Sequence, residues 1–362
     1  MKRINMMIGE VAIPLKHPFV TALRRVDAVQ AIVVRIESDT GLIGYGETAP
    51  TEAITGEDRE SILTGIVQLQ QLLSGSDPND FGSMIDRITA TVPAHPNARA
   101  AMEIALYDLA AQAEGVPLAV YLGGGIGRLK SGITISLGSV GSMVDSATKA
   151  VTEGFDTLKI KLGDDPVEDV ARVMAIHAAV GEEVSLKLDA NQGWGVAETI
   201  GFLQAIERQN IPVELIEQPL PRDDLVGLAE VRRHTSIPIL VDESVFTRAD
   251  AVRVLEAGAA DMINIKLDKA GGITEALAIA DVCADNGVKC MMGCMLEGAV
   301  SVGAAAHVAA ARPETITLVD LDAPMLCAEH PVVGGVHFGI PEIAIPNRPG
   351  LGIERIEGVQ WY

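Results

Sequence analysis

Five chargeable side chains recur at near-regular intervals in the second half of the chain. Lys161, Asp189, Glu217, Asp242 and Lys266 are separated by 28, 28, 25 and 24 residues. Each ends, or nearly ends, a short apolar run: TLKIK, SLKLD, VELIE, PILVD and DMINIK. The three carboxylates offer hard oxygen ligands with no Cys or His close by in sequence, so Mg²⁺ or Mn²⁺ suits them better than zinc. Asn191 and Gln218 adjoin two of the three and are placed to complete an outer shell. A lysine acts as a base near neutral pH only when its pKa is lowered, and neighbouring positive charge does that. Lys159, two residues before Lys161, together with a divalent ion provides such charge. Two lysines facing each other across a metal-held carboxylate suit abstraction of the proton α to it. The metal stabilises the enediolate and the second lysine returns the proton on the other face. That chemistry is 1,1-proton transfer, racemisation or epimerisation; β-elimination uses the same parts.

The elements that position these groups follow from the spacing. A strand of about 5–6 residues plus a crossover of roughly 10–12 or more fits intervals in the twenties, one charge per successive parallel strand. Strands are expected near 132–137, 157–162, 185–190, 214–218, 238–242, 261–267, 289–294 and 316–322, with helices between most of them. Charges at the C-terminal ends of barrel strands converge on the face that carries the active site. In LKIKL, Lys159 and Lys161 share one face and Leu158, Ile160 and Leu162 the other. An apolar outer face packs on helices, so both lysines point inward, where an unpaired charge is costly. The same parity turns Asp189, Lys266, Asp320 and Asp322 inward. The alternatives are edge strands with a solvated face, or buried Asp/Glu–Lys pairs that merely hold the barrel mouth.

The remainder of the chain is read as a cap. Residues up to about 60 are β-rich: AVQAIVVRIES and LIGYGET form a hairpin around DTG, and from Asp58 to about Glu114 the pattern turns helical, with Gly115 as a stop. We expect an α+β capping domain over 1–125, a (β/α)7β barrel over 126–322, and a Gly- and Pro-rich segment over 323–362 that packs back on the cap. The YLGGGIGRLK stretch is the expected linker. With 48% hydrophobic residues the chain can bury a large core, and a net charge of −21 argues against nucleic-acid binding. Four cysteines without a C-x-x-C pair suggest free thiols of a reducing compartment. The N-terminal residues lack an apolar signal region, and the Ala299 stretch AVSVGAAAHVAAA is too short to span a bilayer. A soluble, cytoplasmic homo-oligomer acting on a small molecule is expected, with no nucleic-acid or membrane partner.

The set TLKIKL, LDANQGW, IEQP, VDES, INIKLDKAGG and GCMLE resembles the enolase superfamily, in its muconate-lactonising subgroup, over essentially the whole chain. The resemblance implies Mg²⁺ on Asp189, Glu217 and Asp242, acid/base lysines at Lys161 and Lys266, and Lys159 as the auxiliary lysine. LVDLDAP at the eighth strand is similar to the D-x-D of dipeptide epimerases, where it receives the substrate's free α-ammonium. Desolvated anions suit that cation. TALRRV and PTEAITGE resemble two capping loops of L-Ala-D/L-Glu epimerases, with Arg24 meeting the glutamate side chain and Ile54 and Thr55 beside it. Arg25 adjoins Arg24 and a loop slip would exchange them; the bland alternative for both is a solvated loop. Glu297 is expected at the mouth, lining the pocket. These marks imply epimerisation of the C-terminal residue of a dipeptide in cell-wall peptide metabolism, Ala-Glu being favoured. Other side-chain preferences, an N-acylamino-acid racemase and a cycloisomerase are the rivals within the subgroup. From other classes, a Schiff-base aldolase using Lys266 and a non-catalytic metal-binding barrel remain.

Overall fold

Strand and helix alternate without interruption from Ile133 to Asp320 in the computed structural model, which describes residues 5–21, 24–74, 76–77, 80–91 and 95–362. Residues 1–4, at the start of the N-terminal stretch, and Ala22 and Leu23 of TALRRV lie outside the described residues. Among the described residues the barrel has eight strands: Ile133–Ile135, Thr157–Lys161, Ser185–Asp189, Val213–Glu217, Ile239–Val241, Met262–Ile265, Lys289–Gly293 and Ile316–Asp320. Each pairs in parallel with its sequence neighbour. The first and eighth meet through a parallel bridge between Ser131 and Val319, reinforced by the Leu321 amide donating to Ser131 Oγ at 3.0 Å. A helix follows each of the first seven strands, from Val140–Glu153 to Ala299–Ala311, whereas only the short turn Ala323–Leu326 follows the eighth. The architecture is a (β/α)7β barrel.

Local chemistry sets the helix starts. Ser139, Asp165, Asp224 and Thr247 each cap a barrel helix by accepting a backbone N–H, and Pro166 occupies a first-turn position where its missing donor costs nothing. Leu158, Ile160 and Leu162 are fully buried beneath the helices, so alternate residues of that strand point into the barrel. There the register sets Lys161 opposite Asp189 and Asp189 opposite Glu217. Below this charged layer, Leu215, Leu240 and Met291 form a separate apolar cluster with Met262 and Leu318. The mouth array therefore stands on a greasy plug, shielded from water on its lower side.

The cap sheet is antiparallel, with strands Asn5–Val20, Arg25–Glu37 and Ile43–Thr48. Helices Arg59–Leu73, Phe81–Thr91 and Pro96–Ala113 cover it, burying Ile32, Val34 and Ile36 against Ile62, Ile66, Leu69, Met102 and Leu106. The hairpin is read from alternation, but the 16-residue first strand is not, because Pro14 and Pro18 interrupt its pattern and the register shifts between Pro14 and Phe19. The C-terminal segment is not structureless. Glu342–Ala344 pairs with Arg128–Lys130, so part of the linker is a strand, and Gln360–Trp361 adds to the cap sheet beside Gly9 and Glu10. No helix among the described residues is long and apolar enough to cross a membrane. In Ala299–Ala311, His307 is buried and accepts the Ala119 amide at 3.0 Å, tying that helix to the cap.

Candidate active site

A cleft lies between the C-terminal ends of the barrel strands and two cap segments. Its floor carries Lys159, Lys161, Asp242 and Lys266, its far wall Asp320 and Asp322, and its roof Phe19, Thr21, Arg24, Ala53 and Ile54. All the charged floor and wall residues are nearly inaccessible to solvent. Buried charges of this density require partners, and the partners are one another. Lys161 Nζ donates to Asp189 Oδ2 at 2.6 Å and Lys266 Nζ to Asp242 Oδ2 at 2.6 Å. Lys159 Nζ lies 3.2 Å from Asp189, 2.8 Å from Glu217 and 2.8 Å from Asp320.

This pairing sets the protonation states. Burial alone would lift the Asp242 carboxyl, but the Lys266 and Lys269 ammoniums outweigh it and hold it far below its ordinary value. Asp189 is likewise lowered, burial being overcome by Lys161 and Lys159. Burial pulls Lys159 down, yet Asp320, Glu217 and Asp189 carry it well above the usual ammonium range; Lys266 is raised, with Asp242 and Glu217 overriding burial. At Lys266 the carboxylates alone therefore do not produce the lowering anticipated from sequence. It requires their charge to be taken up by a cation.

Whether the residues fit such a cation can be judged from the oxygens. Among the described residues, no three carboxylates, thiols or imidazoles are gathered closely enough to cage a metal; ammonium groups stand between the carboxylates instead. However, Glu217 Oε2 and Asp242 Oδ1 are met only by ion pairing, without an aligned hydrogen bond, and Glu243 Oε2 has no hydrogen-bond partner. Asp189, Glu217 and Asp242 come from adjacent strands, offer only oxygen, and carry more acceptor capacity than the lysines saturate. They fit a hard divalent ion that displaces ammonium groups from the carboxylates.

The residues that follow Asp189 and Glu217 are held under backbone constraint. Asn191, Gln192 and Gln218 adopt positive φ of 44°, 67° and 35°, uncommon for residues with a side chain. Asn191 donates its amide to Asp189 Oδ1 at 3.0 Å and accepts from Lys161 at 3.2 Å. Gln218 Oε1 accepts the amides of Asp242, at 2.8 Å, and Ser244, at 3.2 Å. Gly293, at the end of the seventh strand, leaves room for the second lysine: a Cβ there would sit 2.5 Å from Asn264 Oδ1 and 3.0 Å from Lys266 Cε.

The remaining expected residues divide. Asp320 and Asp322 both line the cavity, and Asp322 Oδ2 accepts the Thr134 amide at 2.7 Å. Arg24 reaches the cavity and no carboxylate pairs with it among the described residues, while Arg25 is exposed and pairs with Asp27 at 3.2 Å. Ile54 lines the roof, but Thr55 does not; its hydroxyl turns back to the Thr51 carbonyl at 3.2 Å. Glu297 is also absent from the lining. Its carboxylate is buried behind the wall, accepting the Met295 amide at 2.5 Å and the Ser301 hydroxyl. CMLE follows a strand end, but the chain there has already turned toward a helix, so strand parity no longer sets direction.

Several residues of the array have no place in the sequence argument. Lys187 shares the inward face of SLKLD with Asp189, a signal available from parity alone. Asn264 stands two residues before Lys266 and donates to Glu217 Oε1 at 2.9 Å. Glu243 lies in a turn beyond a strand end and Lys269 in the short helix Leu267–Ala270, where no periodicity marks them. Phe19 and Thr134 join the site only through tertiary packing.

Known proteins share this fold and much of the sequence. Residues 3–123 match the mandelate racemase/muconate lactonizing enzyme N-terminal domain, and residues 142–358 match the enolase C-terminal domain-like family. An L-Ala-D/L-Glu epimerase of Clostridium acetobutylicum is 44% identical over 353 residues, spanning 97% of this chain and 98% of its own. The substrate-liganded L-Ala-D/L-Glu epimerase from Bacillus subtilis superposes with a TM-score of 0.95 at 41% identity, covering 98% of this chain and 99% of that one. A dipeptide epimerase from Enterococcus faecalis, complexed with Mg and the dipeptide L-Leu-L-Tyr, superposes at 0.93 with 39% identity, over 98% and 100% of the two chains. With both of its domains matched and a relative of this similarity along almost its full length, the chain belongs to the mandelate racemase/muconate lactonizing enzyme family of the enolase superfamily.

Proposed function

We propose that this protein is a Mg²⁺-dependent dipeptide epimerase that inverts the α-carbon of the C-terminal residue, with L-Ala-D/L-Glu as its favoured substrate. The observation that carries the reading is one cavity lined by two lysines from opposite sides of the barrel, by Asp242 and by an Asp-x-Asp pair, with Asp189 and Glu217 buried directly behind it on Lys161 and Lys159. Asp189, Glu217 and Asp242 would hold the ion. Bound there, Mg²⁺ supplies the positive charge that stabilises the substrate carboxylate as negative charge builds on it. Lys161 and Lys266 do the proton work: one, as the free amine, takes the α-proton at Nζ, and the other, as ammonium, delivers a proton to the opposite face. Lys159, beside Asp189 and Glu217, adds positive charge at the carboxylate end. Asn191 and Gln218 hold the ligands in place.

Asp320 and Asp322 accept the α-ammonium of the dipeptide. A substrate without that cation would leave the buried Asp320 Oδ1, which has no hydrogen-bond partner, still unsatisfied, which disfavours an N-acylamino acid or a muconate. Arg24, free of any carboxylate partner among the described residues, supports an acidic side chain on the epimerised residue. A second preference has its own support: Phe19, Ile54, Leu296 and Leu326 give the cavity apolar wall, which suits a hydrophobic side chain. A Schiff-base aldolase using Lys266 has no use for a second lysine and three carboxylates facing it, and borohydride added with substrate would trap its adduct. The setting we infer is a cytoplasmic homo-oligomer in cell-wall peptide metabolism; the four unpaired cysteines support a reducing compartment. Incubating a dipeptide library with the Mg²⁺-loaded protein in D₂O, read by mass spectrometry, tests the reading. Deuterium should enter the C-terminal residue of Ala-Glu first; no deuterium in any dipeptide would end the proposal.

A further inference from the structure

Asp242 is gripped from two sides, and only one grip has a part in the reaction above. Lys266 holds Oδ2, whereas Lys269, three residues on, holds Oδ1 at 2.6 Å. Lys269 is 2% exposed, lies outside the cavity lining, and reaches no solvent. Its ammonium also donates to three backbone carbonyls: Asp242, Val245 at 3.0 Å and Asn264 at 3.1 Å, with the Phe246 ring 5.7 Å away. Asn264 belongs to the sixth barrel strand, just before Lys266, while Asp242 and Val245 lie in the turn that follows the fifth. An ammonium has three protons, and four acceptors surround this one, so it is held fast and cannot swing toward substrate.

We propose that Lys269 is a positioning residue for proton transfer, a fixed cation that holds Asp242 from behind and so frees Lys266 to address the substrate. Without it, Oδ1 of a buried carboxylate loses its counter-charge, and the nearest replacement is Lys266 itself, whose Nζ already sits 2.6 Å from Oδ2. Lys266 rests on Oδ2 here; an ion on Asp242 would release it, and without Lys269 the under-compensated carboxylate would keep it there, away from the α-carbon. Lys161, bonded to Asp189 across the mouth, would keep its aim. The defect should fall on one face of the substrate only.

This inference rests on the reading of Lys161 and Lys266 as the two bases, and the test separates the two. Exchange of the α-proton with D₂O is followed for each epimer of Ala-Glu in the native protein, Lys266→Ala, Lys269→Met and Lys269→Gln, and Mg²⁺ affinity is measured by calorimetry without substrate. A misaligned base costs about 100-fold, so both Lys269 variants should lose exchange by about that factor for the same epimer that Lys266→Ala loses. The other epimer should stay within a few-fold, and Mg²⁺ should bind no more weakly, since a positive charge beside a ligand has gone. Equal loss on both faces, weakened Mg²⁺ binding in step with exchange, or failure of both variants to fold would overturn the positioning role and make Lys269 a structural support. No exchange by the native protein would instead refute the epimerase reading itself.

Discussion

Two regions bury clusters of carboxylates, and they keep them in opposite ways. At the barrel mouth, Asp189, Glu217, Asp242 and Asp320 are interleaved with lysines, and Asp320, though raised by burial, is brought to about 2 by Lys159 and Lys187. At the junction of cap and barrel, Glu47, Asp268 and Glu297 have no ion-paired cation among the described residues. Glu47 accepts the amides of Gly298 and Val300 (the latter at 3.0 Å), and Asp268 accepts Thr48 Oγ1 at 2.9 Å and Asn97 Nδ2 at 3.0 Å. Burial, and then the charge of Glu297, raises Glu47 to about 7 and Asp268 well above its ordinary value. The junction fastens the cap with hydrogen bonds and tends to keep its protons. At the mouth the lysines keep Asp189, Asp242 and Asp320 charged, while burial and the neighbouring carboxylates Asp189 and Asp320 raise Glu217 and Asp322, so charge and exchangeable protons stand side by side there.

The comparison is broken most severely by removing ligand charge at the mouth. Asp189→Asn should abolish turnover and the calorimetric signal of Mg²⁺ binding, and chelation of the native protein should do the same reversibly. Activity of Asp189→Asn after exhaustive chelation would show that the mouth is no metal site. Next are the substrate's own charges. Truncating one partner of a desolvated pair costs roughly 2–5 kcal/mol by interface analogy, so Asp322→Asn should lower kcat/KM for Ala-Glu and Ala-Leu alike. Arg24→Met should do so for Ala-Glu alone. Equal losses on both dipeptides for Arg24→Met would remove its side-chain role.

A smaller effect is expected where the mouth has only been made tight. Gly293→Ala forces Asn264 and Lys266 aside, and overpacking of this kind costs about 1–3 kcal/mol of stability. Thermal melting should register that loss, and kcat should fall while KM for the dipeptide changes little. The effect at the junction shows only as pH changes. Glu47 has an ordinary value of 4.5 and a folded value of about 7, so its contribution to stability is full below 4.5 and lost as pH rises through 7. That is roughly 3 kcal/mol at most. Glu47→Gln cannot ionise, so its melting temperature relative to the native protein should climb between pH 5 and pH 8. A constant difference would mean that Glu47 does not titrate in this range. Asp320 works in the other direction: its contribution is present above its ordinary 3.8 and lost as pH falls toward 2.

The same contrast governs what was legible in the sequence. The mouth is written in strand parity. Lys159 and Lys161, Asp189, Glu217, Asp242 and Lys266 alternate with apolar neighbours that must face helices, so direction follows from period two. The eight barrel strands lie within a few residues of their expected positions for the same reason. The junction is written in no period. Glu47 reads as one polar residue of a hairpin, and Asp268 as one of several charges after a strand; only pairing across more than 200 residues brings them to Gly298 and Thr48. Glu297 misled because a strand end no longer dictates direction once the chain turns into a helix cap. The C-terminal strands were hidden similarly, since Gln360–Trp361 finds its partner at Gly9 and Glu10.

The central claim is that the mouth holds two bases acting on opposite faces of one carbon. Single-turnover exchange of L-Ala-L-Glu and L-Ala-D-Glu in D₂O, with Mg²⁺ and either Lys161→Ala or Lys266→Ala, tests it most directly. Each variant should lose epimerisation, by about 10²–10⁴-fold for a removed acid/base group, yet still exchange the α-proton of one epimer, and the two variants should retain opposite epimers. Exchange of both epimers by either variant would contradict the two-base account.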